Sequence, residues 1–279
     1  MKKIFALALI LTFILPPTLV SANRTRGVFL SGIRADFDGV DEKAYVDTPT
    51  FNDDTTGALA CWVQIDTALS ANGVDVIFQM GGSDTDQATN FGQIFFATRY
   101  VSGSIDNQLE VFHRVDNSAT TNRVYGDTVL AIDTVYLVGL SSSGTDWDIY
   151  VNGAAETENI ISGTNTGDWF NDVGTVGTRR SVIGDGFRDG VFAGSNLDGK
   201  IDNCMVFTSE PTTAQWTALY NGGKPIHPCA IGLCSITDTF LKMGEDENGA
   251  VATFFGAIGT NNFTTVNMED ADFVRTSYY

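Results

Sequence analysis

The carboxylates that flank Gly-containing turns are the residues of this chain whose types and spacing could do chemistry. The stretch LDGKIDNCMVF, residues 197–207, sets Asp198 and Asp202 around a Gly-Lys pair, and FDGVD, residues 37–41, sets Asp38 and Asp41 around Gly39-Val40. Two carboxylates could cleave a glycosidic bond, which requires them about 5–5.5 Å or about 6.5–9.5 Å apart across a cleft. They could instead ligate a hard cation. Ca2+ takes about six to eight carboxylate and carbonyl oxygens, which loops between strands can offer. The third possibility is that they only begin strands, because Asp-Gly favours tight turns.

Other constellations are weaker. Glu245-Asp246-Glu247 is contiguous and followed by Asn248-Gly249, which reads as a solvated turn, and Asp146-Trp147-Asp148 alternates but contains no glutamate. No GxSxG elbow marks a nucleophile. His113 lies in the alternating stretch NQLEVFHRV and reads as a surface or satisfied core histidine, and His227 sits in a loop beside Pro228. With these two histidines and no CxxC, zinc is not expected.

Strands must position these groups. Runs of four to eight residues rich in Val, Ile, Phe, Tyr and Thr, cut by Gly, Asn, Asp and Ser, recur along the chain. GALACWVQI, VDVIFQM, GQIFFATRY, NQLEVFHRV, TVYLVGLSS, DWDIYVNG, RSVIGD and KIDNCMVF all have this form. Their spacing predicts a sandwich or barrel. TVYLVGL is apolar at nearly every position, which predicts a strand covered on both faces. One short helix is expected in TTAQWTALYNGG, capped by Ser209 or Thr212, with Trp216, Leu219 and Tyr220 on one face and Asn221-Gly222 at its end. Residues 225–279 read as a cysteine loop and further strands that complete the sandwich or are appended to it.

The chain opens with Lys2-Lys3, an apolar run to Leu15 and a small-residue end at Val20-Ser21-Ala22. That is the pattern of a secretory signal peptide over 1–22, removed on export, so no membrane insertion is expected after processing. Loss of Lys2 and Lys3 takes the net charge from −18 to −20. An acidic surface of this kind argues against nucleic acid as a partner. Export permits disulfides. HPCAIGLC would close a small loop between Cys229 and Cys234, while Cys61 and Cys204 lie in strand-like runs and suit a bridge or buried thiols equally.

Four pieces in order carry a resemblance. Phe37-Asp38-Gly39-Val40-Asp41 leads to Tyr45-Val46, and Ala60-Cys61-Trp62-Val63 follows; Asp148-Ile149-Tyr150-Val151-Asn152-Gly153 comes next, and Leu197 to Asn203 precedes the helix and Leu219-Tyr220-Asn221-Gly222-Gly223. Together they resemble the laminin-G-like, concanavalin A-like jelly-roll modules of secreted bacterial and some virion proteins, over about residues 33 to 224. The resemblance implies an all-β fold, a jelly-roll β-sandwich of two antiparallel sheets with one short helix, spanning 28–224. Bacterial β-glucanases of that fold carry a Glu-x-Asp-x-Glu strand, which is missing here, so the resemblance points to a non-catalytic member. It also implies a structural Ca2+ held by the aspartate that begins the last sandwich strand, a position matched by Asp202, with Asp41 of the 38–41 turn as its neighbour.

Ligand recognition is expected on loops, where Asp84, Asp86, Trp169 and Arg179 are the candidate contacts. The reading is an exported recognition or adhesion module, extracellular or at a cell surface, that binds a glycan or another surface polymer. The alternative is a structural subunit of a filament, surface layer or virion that self-assembles through edge strands such as ADFVRTSYY.

Overall fold

Each long strand has to hide one face or two, and side-chain alternation decides which. A computed structural model describes residues 33–70, 72–82, 92–115, 118–174, 179–188, 191–242, 253–254, 256–268 and 273–275. The expected leader, the acidic run 245–247, Asp84 and Asp86 lie outside them.

The strands form two antiparallel sheets, giving a jelly-roll β-sandwich with one short helix. The first sheet runs in the order β10 (Ala154–Ala155), β9 (Trp147–Val151), β8 (Val135–Ser142), β3 (Gly57–Ile65), β15 (Asp198–Phe207), β1 (Ile33–Asp38), β20 (Phe273–Arg275). Two further strands join it, β16 (Thr237–Leu241) on β15 and β18 (Gly256–Ile258) on β16. The second sheet runs β11 (Asn159–Ser162), β7 (Asn122–Val129), β6 (Ile105–Arg114), β5 (Gln93–Val101), β4 (Val74–Gly82), β12 (Arg179–Ile183), β2 (Lys43–Asp47), β19 (Phe263–Val266), β17 (Thr253–Phe254). A separate hairpin, β13 (Phe187–Arg188) and β14 (Val191–Phe192), belongs to neither sheet. Strands from beyond residue 225 thus enter both sheets, and Phe273–Arg275 of ADFVRTSYY pairs with β1 of its own chain.

The inner faces meet in one apolar core, in which Phe37, Leu59, Val63, Val138 and Leu140 of the first sheet face Phe78, Ile94, Phe96, Val111 and Ile183 of the second. A second cluster covers the other face of the first sheet. Trp62, Leu137, Tyr150, Met205 and Phe207 pack there beneath Trp216 and Leu219 of the helix α1 (Thr213–Tyr220). TVYLVGL is apolar throughout for this reason: Val138 and Leu140 point into the core between the sheets, and Leu137 points to the helix. Gly139 makes room for the helix, since a Cβ there would lie 2.5 Å from the Trp216 ring.

Thr212 caps α1 by accepting from the Gln215 N–H, and Asn221 ends it in the left-handed conformation with φ 45°. Disulfides join Cys61 to Cys204, across the neighbouring strands β3 and β15, and Cys229 to Cys234. Among the described residues no helix is long and apolar enough to cross a membrane.

Candidate functional site

The outer face of the second sheet carries a mixture of polar and aromatic side chains. Alternation on β5 sends Ile94 and Phe96 into the core and leaves Gln93, Phe95 and Arg99 on the opposite face. On β6 the same rule buries Val111 and turns Phe112 and Arg114 outward. Register then assembles rows across the sheet. Gln79, Phe95, Phe112 and Arg123 lie side by side on β4, β5, β6 and β7, and Gly81, Gln93 and Arg114 form the next row.

These residues line a groove of about 270 Å³, with Val74, Val76, Gly186, Ala193 and Ser195 on its remaining sides. Phe95 and Phe112 form its floor, stacked with centroids 4.7 Å apart and planes 2° from parallel. Both rings are half-buried, so part of the pair remains exposed. The Arg123 guanidinium lies 5.7 Å and that of Arg114 6.0 Å from the Phe112 ring centre. Glu110 lies beneath, fully buried, accepting from Arg123 Nε at 2.8 Å and Nη2 at 3.0 Å.

One wall comes from far along the chain. Gln79, itself buried, accepts from the Phe187 N–H at 2.9 Å and donates its amide to the Phe187 carbonyl, so its side chain pairs with the hairpin as another strand would. Gly81 allows that approach, because a Cβ there would lie 2.4 Å from Phe187 O. Asp185 fixes the base of the hairpin. It accepts from the N–H groups of Gly186 and Ser195 and from Lys43 Nζ at 2.9 Å, with both charged side chains buried. Arg180 holds the far side, its guanidinium 4.2 Å from the Tyr45 ring centre and 4.6 Å from that of Phe187, and bonded to Asp47.

The loop residues expected to contact a ligand are placed otherwise. Trp169 is fully buried, stacked on Phe170 with centroids 4.4 Å apart, because the 3-10 turn Phe170–Val173 swings the ring into the core. Arg179 is buried too and donates to the carbonyls of Gly174, Asn52 and Asn171, tying two turns together. Neither side chain is presented to a surface ligand. Asp84 and Asp86 lie outside the described residues.

The expected calcium pair is also separated. Asp202 is fully buried on β15 opposite Trp62, on the helix-covered face of the first sheet. It lies four residues beyond Asp198, the partner of Asp38, a distance of about 13 Å at ~3.3 Å per residue. Asp41 instead gathers with Asp38 and Glu42, carboxylate oxygens of all three lying within 4.8 Å of one another. Burial, then the hydrogen bond with Asp38, pushes the Glu42 carboxyl up to about 7, and the same bond holds that of Asp38 below the usual carboxylate range. An oxygen-only donor set of this kind suits a hard divalent cation.

His113 is a core histidine. Its Nδ1 lies 2.8 Å from Asp168 Oδ2 and its Nε2 3.1 Å from the Asp172 carbonyl oxygen, so both ring nitrogens are engaged inside the sandwich. The groove itself offers no pair of carboxyl groups for glycosidic cleavage among its described lining residues. Reasoning that places recognition on loops passes over the groove face. The signal was there in the alternate positions of β5 and β6, where Gln93, Phe95 and Arg99 and then Glu110, Phe112 and Arg114 share one face.

No protein-family model matches the chain, and no curated protein matches it. Solved structures do. A protein from Bacteroides ovatus proposed to bind carbohydrate aligns with a TM-score of 0.57 and 17% identity over 87% of this chain and 61% of its own. This chain therefore spans less than two thirds of that one. The heptameric SAP-like pentraxin of Limulus polyphemus aligns with a TM-score of 0.51 and 15% identity, over 87% of this chain and 98% of its own. The CBM40 of the Ruminococcus gnavus IT-sialidase aligns at 0.50 and 11%, over 68% and 99%. What this chain shares with them is the jelly-roll β-sandwich fold.

Proposed function

We propose that this chain is an exported, non-catalytic recognition module that binds a glycan or another surface polymer in the groove on its second sheet. The observation that carries the reading is the half-exposed Phe95–Phe112 stack, flanked by guanidinium and amide groups on a rigid sheet. An exposed aromatic side chain takes the apolar face of a sugar ring, and convergent polar groups at its margin fix hydroxyls. The carbohydrate-binding descriptions of the Bacteroides and Ruminococcus structures support the same class of ligand, and the two disulfides suit an oxidising, extracytoplasmic setting. A broad glycan array and polysaccharide pull-downs with the full chain test it: binding to a defined saccharide is expected, and silence on every surface would remove the reading's main support.

Calcium is proposed at Asp38, Asp41 and Glu42, where it would tie the turn after β1 to the start of β2. Chelation is expected to lower the Tm by several degrees, and an unchanged Tm would count against the ion. The alternative of a structural subunit draws on Ile160, 58% exposed on the edge strand β11, although the bulge between Ile160 and Ser162 blunts that edge for strand pairing. Particles larger than one chain in size-exclusion chromatography at high concentration would favour it.

A further inference from the structure

The groove has the opposite sign of charge to the chain that carries it. The protein bears a net charge of −18, yet the described residues lining the groove include arginines and no carboxylate. The carboxylate beneath, Glu110, is shared by two guanidiniums. Arg123 binds it bidentately, and Arg99 Nε lies 3.6 Å from Oε2. One negative charge under two positive ones leaves an excess of positive charge at the floor. Both arginines line the groove and keep side-chain exposures of 19% for Arg99 and 20% for Arg123, whereas Glu110 has none.

The electrostatics of Arg99 point the same way. Burial draws its guanidinium below the ordinary value, Glu110 opposes that shift, and the Arg123 charge adds to it. A second anion between the two arginines would offset what Glu110 alone leaves uncompensated. Guanidinium groups are suited to the task, since their N–H forks match the oxygens of carboxylate and sulfate. Arg123 spends Nε and Nη2 on Glu110, two positions of a group with five N–H donors. The volume of about 270 Å³ lies just below the ~300–1,000 Å³ of ordinary small-molecule pockets, a size for a short saccharide segment.

We propose that the groove takes an acidic saccharide, one bearing carboxylate or sulfate, with its oxyanion held by Arg99 and Arg123 and a sugar ring laid against Phe95 and Phe112. Glu110 is a positioning residue that fixes both guanidiniums without touching the ligand. The inference rests on the glycan reading above and narrows it to a charge class. The acidity of the rest of the surface sharpens it, because a chain with this net charge repels polyanions in general. Binding to one must then come from a local site.

The test uses the full chain and two matched pairs of polymers: polygalacturonate against its carboxyl-reduced form, and dextran sulfate against dextran. At least one acidic member is expected to bind roughly 10- to 100-fold tighter than its neutral partner, the worth of a charge-assisted hydrogen bond. Added salt is expected to weaken that preference. The carboxylate and sulfate arms identify which oxyanion the site takes. Arg99→Gln, whose contact with Glu110 is the longer one, is expected to remove most of the preference while the Tm holds, and Arg123→Gln to do so with some loss of Tm. Equal or tighter binding of the neutral members would overturn the acidic preference and leave the glycan reading standing. A preference that survives in both arginine variants would overturn the placement. If no polymer of the four binds and the glycan array is also silent, the glycan reading fails, and this inference with it.

Discussion

Desolvation is the first cause acting on the carboxyl groups of Asp75, Glu158 and Asp54, and it raises all three. Asp75 is raised to about 7, mainly by desolvation and then by the charge of Asp198; Glu158 is raised to about 7 and Asp54 to about 6, again with burial first. Their unfolded values lie near 4. Between about 4 and about 7 the folded state therefore holds protons that the unfolded chain has released, and stability falls as pH rises through that window. Asp168 works in the opposite sense. Its carboxyl is held below the usual range by the His113 hydrogen bond, so its contribution is present above about 4 and lost in stronger acid. The urea midpoint is thus expected to fall from pH 5 to pH 8, and Asp75→Asn to flatten that fall. A midpoint that rises over the same interval would contradict the assignment. None of these shifts was legible in the sequence, because neither a strand position such as Asp75 nor loop positions such as Asp54, Glu158 and Asp168 announce how deeply they are covered.

At the scale of elements, the hairpin β13–β14 decides whether the face of the second sheet is a groove or a plain surface. Gly81→Ala places a methyl group where Phe187 O lies 2.4 Å away. The expected cost is about 1–3 kcal/mol of stability, as for other overpacked sites, with loss of the Gln79–Phe187 pairing. Saccharide affinity should fall as well, although no groove side chain has been removed. Urea denaturation and a binding titration on the same variant check both, and unchanged affinity would mean that the wall plays no part in recognition. The long strands were legible from alternation, and GALACWVQI coincides with β3 residue for residue. β7 was not, since Gly126 and Asp127 interrupt its apolar pattern, and neither was the two-residue hairpin. The wall depends on a contact between residues 108 apart, Gln79 and Phe187, which no local pattern reports.

At the scale of the whole molecule, the two faces turned away from the common core have different roles. The first sheet is covered by α1, and Trp216 and Leu219 close it off. The second sheet keeps its outer face open between β4 and β7. That asymmetry explains why the sequence pointed to the jelly-roll fold but not to the open face. Asp202, Trp169 and Arg179 have the residue types of a binding site, but all three are buried, Trp169 stacked on Phe170 and Arg179 bonded to three backbone carbonyls. On the proposed function, the open face is the binding face. This is tested most directly by isothermal titration of the best array ligand against wild-type protein and Phe112→Ala, with the Tm of each recorded. A Kd at least roughly tenfold weaker is expected for the variant, in keeping with loss of an aromatic contact, with a Tm changed by only a few degrees. An unchanged Kd in a well-folded Phe112→Ala protein would place recognition elsewhere and contradict it.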